Sequence, residues 1–139
     1  MTHRIRFFRG LSVALLLASA ACGTVATATE PSAAVVAKYD KDGDKTLDWN
    51  EVQAAASARF DKLNKDNDGT LDAQEVKGVI GPATFKEADP DNDGTLSKTE
   101  YLDLVKKLFK KADADGDGTL DAKELSSKAG RRLKLLIDR

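Results

Sequence analysis

The sequence predicts an all-α fold, a small helical bundle that carries four loops, on three observations. Four acid-rich segments of twelve residues recur, their starts 24, 25 and 24 residues apart. Apolar residues flank each segment at helical spacing. The connecting stretches are only 12 or 13 residues long, and glycine or proline interrupts the middle one alone.

The chain has 139 residues, room for one small domain, and its start reads as separate from that domain. Arg4, Arg6 and Arg9 precede the apolar run LSVALLLASAA (11–21), and small residues follow. That pattern is a secretory signal over 1–28, too short for a spanning helix. ATA at 26–28 offers a cleavage site. Cys22, directly after the apolar run, offers the alternative of a bacterial lipoprotein, and membrane association is expected only by that route. Both readings export the protein, to a bacterial periplasm. The next residues, 29–35, read as a flexible lead into a domain over 36–139.

Removing 1–28 takes three arginines and no acid from 22 basic and 23 acidic residues, which moves the net charge from −1 to −4. It also removes His3 and Cys22, the only histidine and cysteine. The remainder cannot build the usual zinc, copper, haem or iron–sulfur sites. Nor can it supply the His or Cys of most nucleophilic triads, so no enzyme is expected. With no glycine-rich phosphate loop and no concentrated basic patch, neither nucleotide nor nucleic acid is an expected partner.

The four segments are DKDGDKTLDWNE (40–51), NKDNDGTLDAQE (64–75), DPDNDGTLSKTE (89–100) and DADGDGTLDAKE (113–124). Each fits the twelve-residue EF-hand loop, which holds a hard cation in oxygen ligands from positions 1, 3, 5, 9 and 12 and the backbone carbonyl of position 7. The candidate ligands of loop 1 are Asp40, Asp42, Asp44, Thr46, Asp48 and Glu51. Those of loop 2 are Asn64, Asp66, Asp68, Thr70, Asp72 and Glu75. Loop 3 offers Asp89, Asp91, Asp93, Thr95, Ser97 and Glu100, and loop 4 offers Asp113, Asp115, Asp117, Thr119, Asp121 and Glu124. Of the 23 acids, 18 occupy ligand positions, which separates this pattern from a disordered acidic tract. Loop 1 carries Lys45 where position 6 expects glycine in a left-handed turn, at a cost of about 1–2 kcal/mol.

Four positions before the loops stand Val36, Phe60, Phe85 and Phe109; directly after them come Val52, Val76, Tyr101 and Leu125. With Leu47, Leu71, Leu96 and Leu120 at position 8, these read as core. The stretches 52–63 and 101–112 contain no breaker and read as single helices, each holding its two loops about 18 Å apart. The middle stretch, VKGVIGPATFKEA (76–88), breaks at Gly78 and Gly81-Pro82. A compact EF-hand bundle is therefore predicted, with loop 2 folded back on loop 3 and loop 1 beside loop 4. The tail GRRLKLLIDR (130–139) reads as an amphipathic helix that closes the bundle on Leu133, Leu136 and Ile137. Its arginines leave membrane or partner binding as the alternative.

Four EF-hands at this spacing, behind a signal, resemble the lanmodulin family of periplasmic rare-earth-binding proteins of methylotrophic bacteria. The resemblance covers 36–139 and is closest over DPDNDGTLSKTEYLDLVKKLFKKADADGDGTLDAKELSSKAG (89–130). It implies preference for lanthanide(III) over calcium and folding on metal binding. The family typically places proline second in its loops; here only Pro90 does so, beside Lys41, Lys65 and Ala114.

The expected cargo is Ca2+ or lanthanide(III), up to four ions. A trivalent ion gains about 1.5 times the Coulomb attraction of a divalent one but is also more strongly hydrated, so charge alone does not fix the preference. A bidentate glutamate suits seven or more oxygens and disfavours magnesium. Two functions follow: a periplasmic metal carrier or buffer, lanthanide-preferring and folding on metal, or a calcium-responsive sensor or interaction module. Either is expected as a monomer, with an unidentified periplasmic protein as a further partner.

Overall fold

A computed structural model of the protein describes residues 31–138; the expected signal at 1–28, Cys22 included, lies outside them. Helix α1 (Pro31–Tyr39) leads into loop 1. Residues 31–35, expected as a flexible lead, are already helical, and Ser32, Val35 and Val36 are buried. Ser32 bonds Ser126 through the two hydroxyls (2.8 Å) and accepts from Lys134 Nζ (2.8 Å), which ties α1 to the far end of the chain.

Each loop contains a short strand at positions 7–9. These are β1 (Leu47–Asp48), β2 (Thr70–Asp72), β3 (Thr95–Ser97) and β4 (Thr119–Leu120). β1 pairs antiparallel with β4 and sets Leu47 opposite Leu120; β2 pairs with β3 and sets Leu71 opposite Leu96. All four leucines are fully buried. Burying each contributes about 2 kcal/mol, so every loop is anchored to the core at its centre.

Two helices of 15 residues connect the strand pairs, α2 (Trp49–Leu63) and α4 (Lys98–Ala112). In α4 the buried residues are Tyr101, Leu104, Val105, Leu108, Phe109 and Ala112, an i, i+3, i+4, i+7 stripe that faces the core. Phe60 meets Tyr101 edge to face at 5.6 Å, and Trp49 meets Phe109 likewise at 5.7 Å. These contacts lock α2 against α4.

Between loops 2 and 3 the chain does not continue as a helix. Residues 73–79 form turns, Gly78 adopts φ +81°, and α3 (Pro82–Ala88) starts afresh with proline in its first turn. Val79 and Ile80 therefore lie in the turn region, and Val76 and Ile80 are buried. After loop 4 a 3-10 turn (Glu124–Ser126) leads to α5 (Lys128–Ile137), capped by Ser127 Oγ accepting from Gly130 N at 3.0 Å. Leu133, Leu136 and Ile137 are buried, so α5 closes the bundle. Two of its basic residues are held within the protein, Lys134 on Ser32 and Arg131 on the Ser126 carbonyl. No described helix is long and apolar enough to cross a membrane.

Candidate metal centres

The loops fold as the ligand pattern requires because each carries two residues in the left-handed region. At position 6 these are Lys45, Gly69, Gly94 and Gly118; at position 4 they are Gly43, Asn67, Asn92 and Gly116. The second set was legible as the Gly/Asn alternation at position 4, since those residue types tolerate positive φ best, and the sequence reading passed over it.

Positions 5 and 7 form one unit. The carboxylate Oδ1 of Asp44, Asp68, Asp93 or Asp117 accepts from both the backbone N–H and the hydroxyl of the threonine two residues on, at 2.7–2.9 Å. Threonine at position 7 thus holds the turn through its side chain as well as presenting a carbonyl. The position-3 residues Asp42, Asp66, Asp91 and Asp115 each accept one bond at 3.2–3.3 Å from the N–H of position 5.

Positions 9 and 12 interlock. In loops 1 and 3, Asp48 and Ser97 are helix N-caps that accept from the N–H of Glu51 (2.8 Å) and Glu100 (3.3 Å), and the glutamates reach back to them. The predicted metal-closing glutamate is therefore also the third residue of a capping box. Asp72 and Asp121 accept in the same way from Glu75 (2.9 Å) and Glu124 (2.7 Å). Positions 5, 7 and 9 are thus tied into the loop's own bonds, and positions 1, 3 and 12 converge.

Three convergent carboxylate groups result: Asp40 with Asp42 and Glu51, Asp89 with Asp91 and Glu100, and Asp113 with Asp115 and Glu124. In each, one oxygen per residue lies within 4.8 Å of the others. In loop 2 the neutral amide of Asn64 replaces the first carboxylate. Hydrogen bonds from the Gly43 and Lys45 N–H groups outweigh desolvation and hold Asp40 below the ordinary carboxylate range. Asp42 and Asp91 move the other way. Each is pulled down by the N–H of position 5, but desolvation and neighbouring carboxylates prevail and raise it. At Asp91 the strongest raising influence is the neighbouring Asp89 carboxylate. Such crowding favours any cation that replaces the proton.

The residues fit a hard cation. The donors are all oxygens, and among the described residues two side-chain oxygens are buried with no hydrogen-bond partner: Asn64 Oδ1 and Asp89 Oδ1. Both belong to position 1, where the first ligand is expected. Buried polar atoms are rarely left without a partner, and a coordinated ion would supply one at each.

Paired twelve-residue loops with converging oxygens on a helical frame are the arrangement of an EF-hand and suit calcium-type metal ions. Comparison with known families agrees: the EF hand matches residues 83–105 and 104–127, the third and fourth loops with their flanking helices. Among curated proteins, no match is found.

Proposed function

We propose that the protein is an exported carrier or buffer of calcium-sized hard cations that prefers lanthanide(III) and becomes fully ordered as it binds. The observation that carries this reading is the convergence of carboxylates from positions 1, 3 and 12 in three of the four loops. Loops crowded with acids offer a trivalent ion more Coulomb attraction than a divalent one, and loops 1 and 4 carry five carboxylates each. Export follows from the arginine-led apolar start of the sequence, which fits a periplasmic protein. Repulsion among unneutralised carboxylates opposes a core of modest size, so binding free energy becomes folding free energy.

Trp49 provides the test. It stands at position 10 of loop 1, half-buried against Phe109, four residues before loop 4. Chelator-stripped protein is titrated with terbium(III), following tryptophan-sensitised emission and far-ultraviolet circular dichroism, in the absence and presence of millimolar calcium. Ordering at trace terbium that calcium does not reverse is the expected result. Ordering by micromolar calcium, with ready displacement of terbium, would leave a calcium binder and end the lanthanide reading.

A further inference from the structure

We propose that loop 3 is the first of the four sites to fill, and that Pro90 makes it so by withholding a backbone donor from the closing glutamate. The inference rests on the cation-binding reading of the loops and adds an order among them.

In loops 1, 2 and 4, both oxygens of the closing glutamate are engaged by the chain itself. The N–H of position 2 donates to Oε1: Lys41 to Glu51 at 2.6 Å, Lys65 to Glu75 at 2.7 Å, Ala114 to Glu124 at 2.9 Å. The N–H of position 9 donates to Oε2 of the same residues at 3.0, 3.3 and 3.1 Å. An ion that takes the glutamate through both oxygens must loosen these bonds, which are charge-assisted and so among the stronger kind. Loop 3 lacks the donor at position 2. Pro90 has no N–H. The bonds to Glu100, from Ser97 N and Ser97 Oγ, both at 2.8 Å, fall on Oε2 and leave Oε1 to the metal.

The opposite end of the loop makes the same distinction independently. Asp40 and Asp113 have both carboxylate oxygens bonded to backbone N–H groups, at 2.6 and 2.9 Å in loop 1 and at 2.7 and 3.2 Å in loop 4. Asp89 has one such bond, from Gly94 N to Oδ2 at 3.1 Å. Its Oδ1 is buried with no partner, in a residue only 6 % exposed. A buried anionic oxygen without a donor is unfavourable until a cation reaches it. Loop 2 shares the buried orphan at Asn64, but that group is neutral and Glu75 is still held by Lys65. Only loop 3 presents an unengaged oxygen at both its first and its last ligand.

The backbone permits a reciprocal test. Proline requires an extended residue before it. Asp89 has φ −107°, ψ 82°, and Asp113 has φ −63°, ψ 93°. Asp113 thus has nearly the ψ of the residue that already precedes a proline in loop 3, which makes Ala114→Pro the matching substitution in loop 4.

The experiment titrates the chelator-stripped protein with calcium and, separately, with lanthanum(III), following backbone amides by NMR. The amide of position 6, Lys45, Gly69, Gly94 or Gly118, reports each loop. The wild type is expected to show Gly94 saturating first. Pro90→Ala should weaken loop 3 about tenfold, the scale of one hydrogen bond to a charged group, and cost it that lead. Ala114→Pro should bring Gly118 forward. In a Glu100→Ala background, Pro90→Ala should have no further effect; an undiminished effect there would assign the proline's role to stiffness of the loop and overturn the mechanism. Simultaneous filling, or loop 3 filling after another loop, would overturn the order. A response from no loop to either ion would instead refute cation binding itself, a separate failure.

Discussion

Lys45 holds φ +69° in a position that its three counterparts fill with glycine. The β-carbon makes that conformation unfavourable by about 1–2 kcal/mol, yet the residue stays because its N–H donates to Asp40 Oδ2 at 2.9 Å and the turn closes around it. Any amino acid except proline supplies that N–H, and the lysine side chain is exposed. Lys45→Gly is therefore expected to retain the bond and shed the strain. It should stabilise the metal-free protein by about 1 kcal/mol, less the larger entropy of a glycine in the unfolded chain. Denaturant midpoints of the two proteins under chelator check this; an unchanged or lower midpoint would show that the loop is not strained there. Position 6 was legible in the sequence because glycine was missing from an otherwise regular column. Thr46, Thr70, Thr95 and Thr119 were read only for their carbonyls, because a pattern of ligand positions is silent about hydrogen bonds inside the loop.

Among the elements, α5 has the most tightly specified seat. Both tyrosines of the chain terminate it: Tyr101 of α4 donates its hydroxyl to the Leu136 carbonyl and Tyr39 of α1 to the Ile137 carbonyl, each at 2.8 Å. These are carbonyls of the last turn, which no helical N–H reaches. Tyr101 is fully buried, and burial raises its pKa, so the donor stays protonated. Lys38 pairs with Asp138 just beyond the helix. At the other end Gly130 lies against the turn that closes loop 4. A β-carbon there would stand 2.3 Å from the Glu124 carbonyl oxygen and 2.5 Å from Leu125 Cα. Backbone cannot move aside as a side chain can. Gly130→Ala is expected to destabilise the fold by about 1–3 kcal/mol and, by displacing Glu124, to weaken loop 4 more than the other loops. Thermal unfolding together with loop-resolved metal titration tests both parts. Equal weakening of all four loops would mean that α5 supports the bundle without setting Glu124.

At the scale of the molecule, the two strand pairs, β1–β4 and β2–β3, are joined by α2 and α4, so each of these helices ends in two different metal loops. An ion bound in one pair therefore orders a helix that also enters the other. Binding to the folded state alone adds about 2.7 kcal/mol per site when free metal is a hundred times Kd. The unfolding temperature should accordingly rise with metal concentration and keep rising past the first equivalent, which calorimetry across a metal series would detect. A plateau at one equivalent would mean that the remaining loops stay empty or leave stability unchanged.

The amino-acid sequence alone carries the helical class, the four loops with their crowd of oxygen-bearing side chains and the break at Gly78 and Pro82. Each is a local property, written in residue types at fixed spacing. It also marked Leu47, Leu71, Leu96 and Leu120 as core, because repetition at one position is visible without a fold. The tertiary structure decided what spacing cannot express. It placed α1 against α5 through Ser32 and Tyr39, contacts between residues about a hundred positions apart. It fixed the form of the break after loop 2, turns over 73–79 with Gly78 at positive φ before α3 starts. And it distinguished loops that look alike as strings. Whether a carboxylate oxygen is already bonded depends on which backbone N–H reaches it in space, and Pro90 changes that answer by having none to offer.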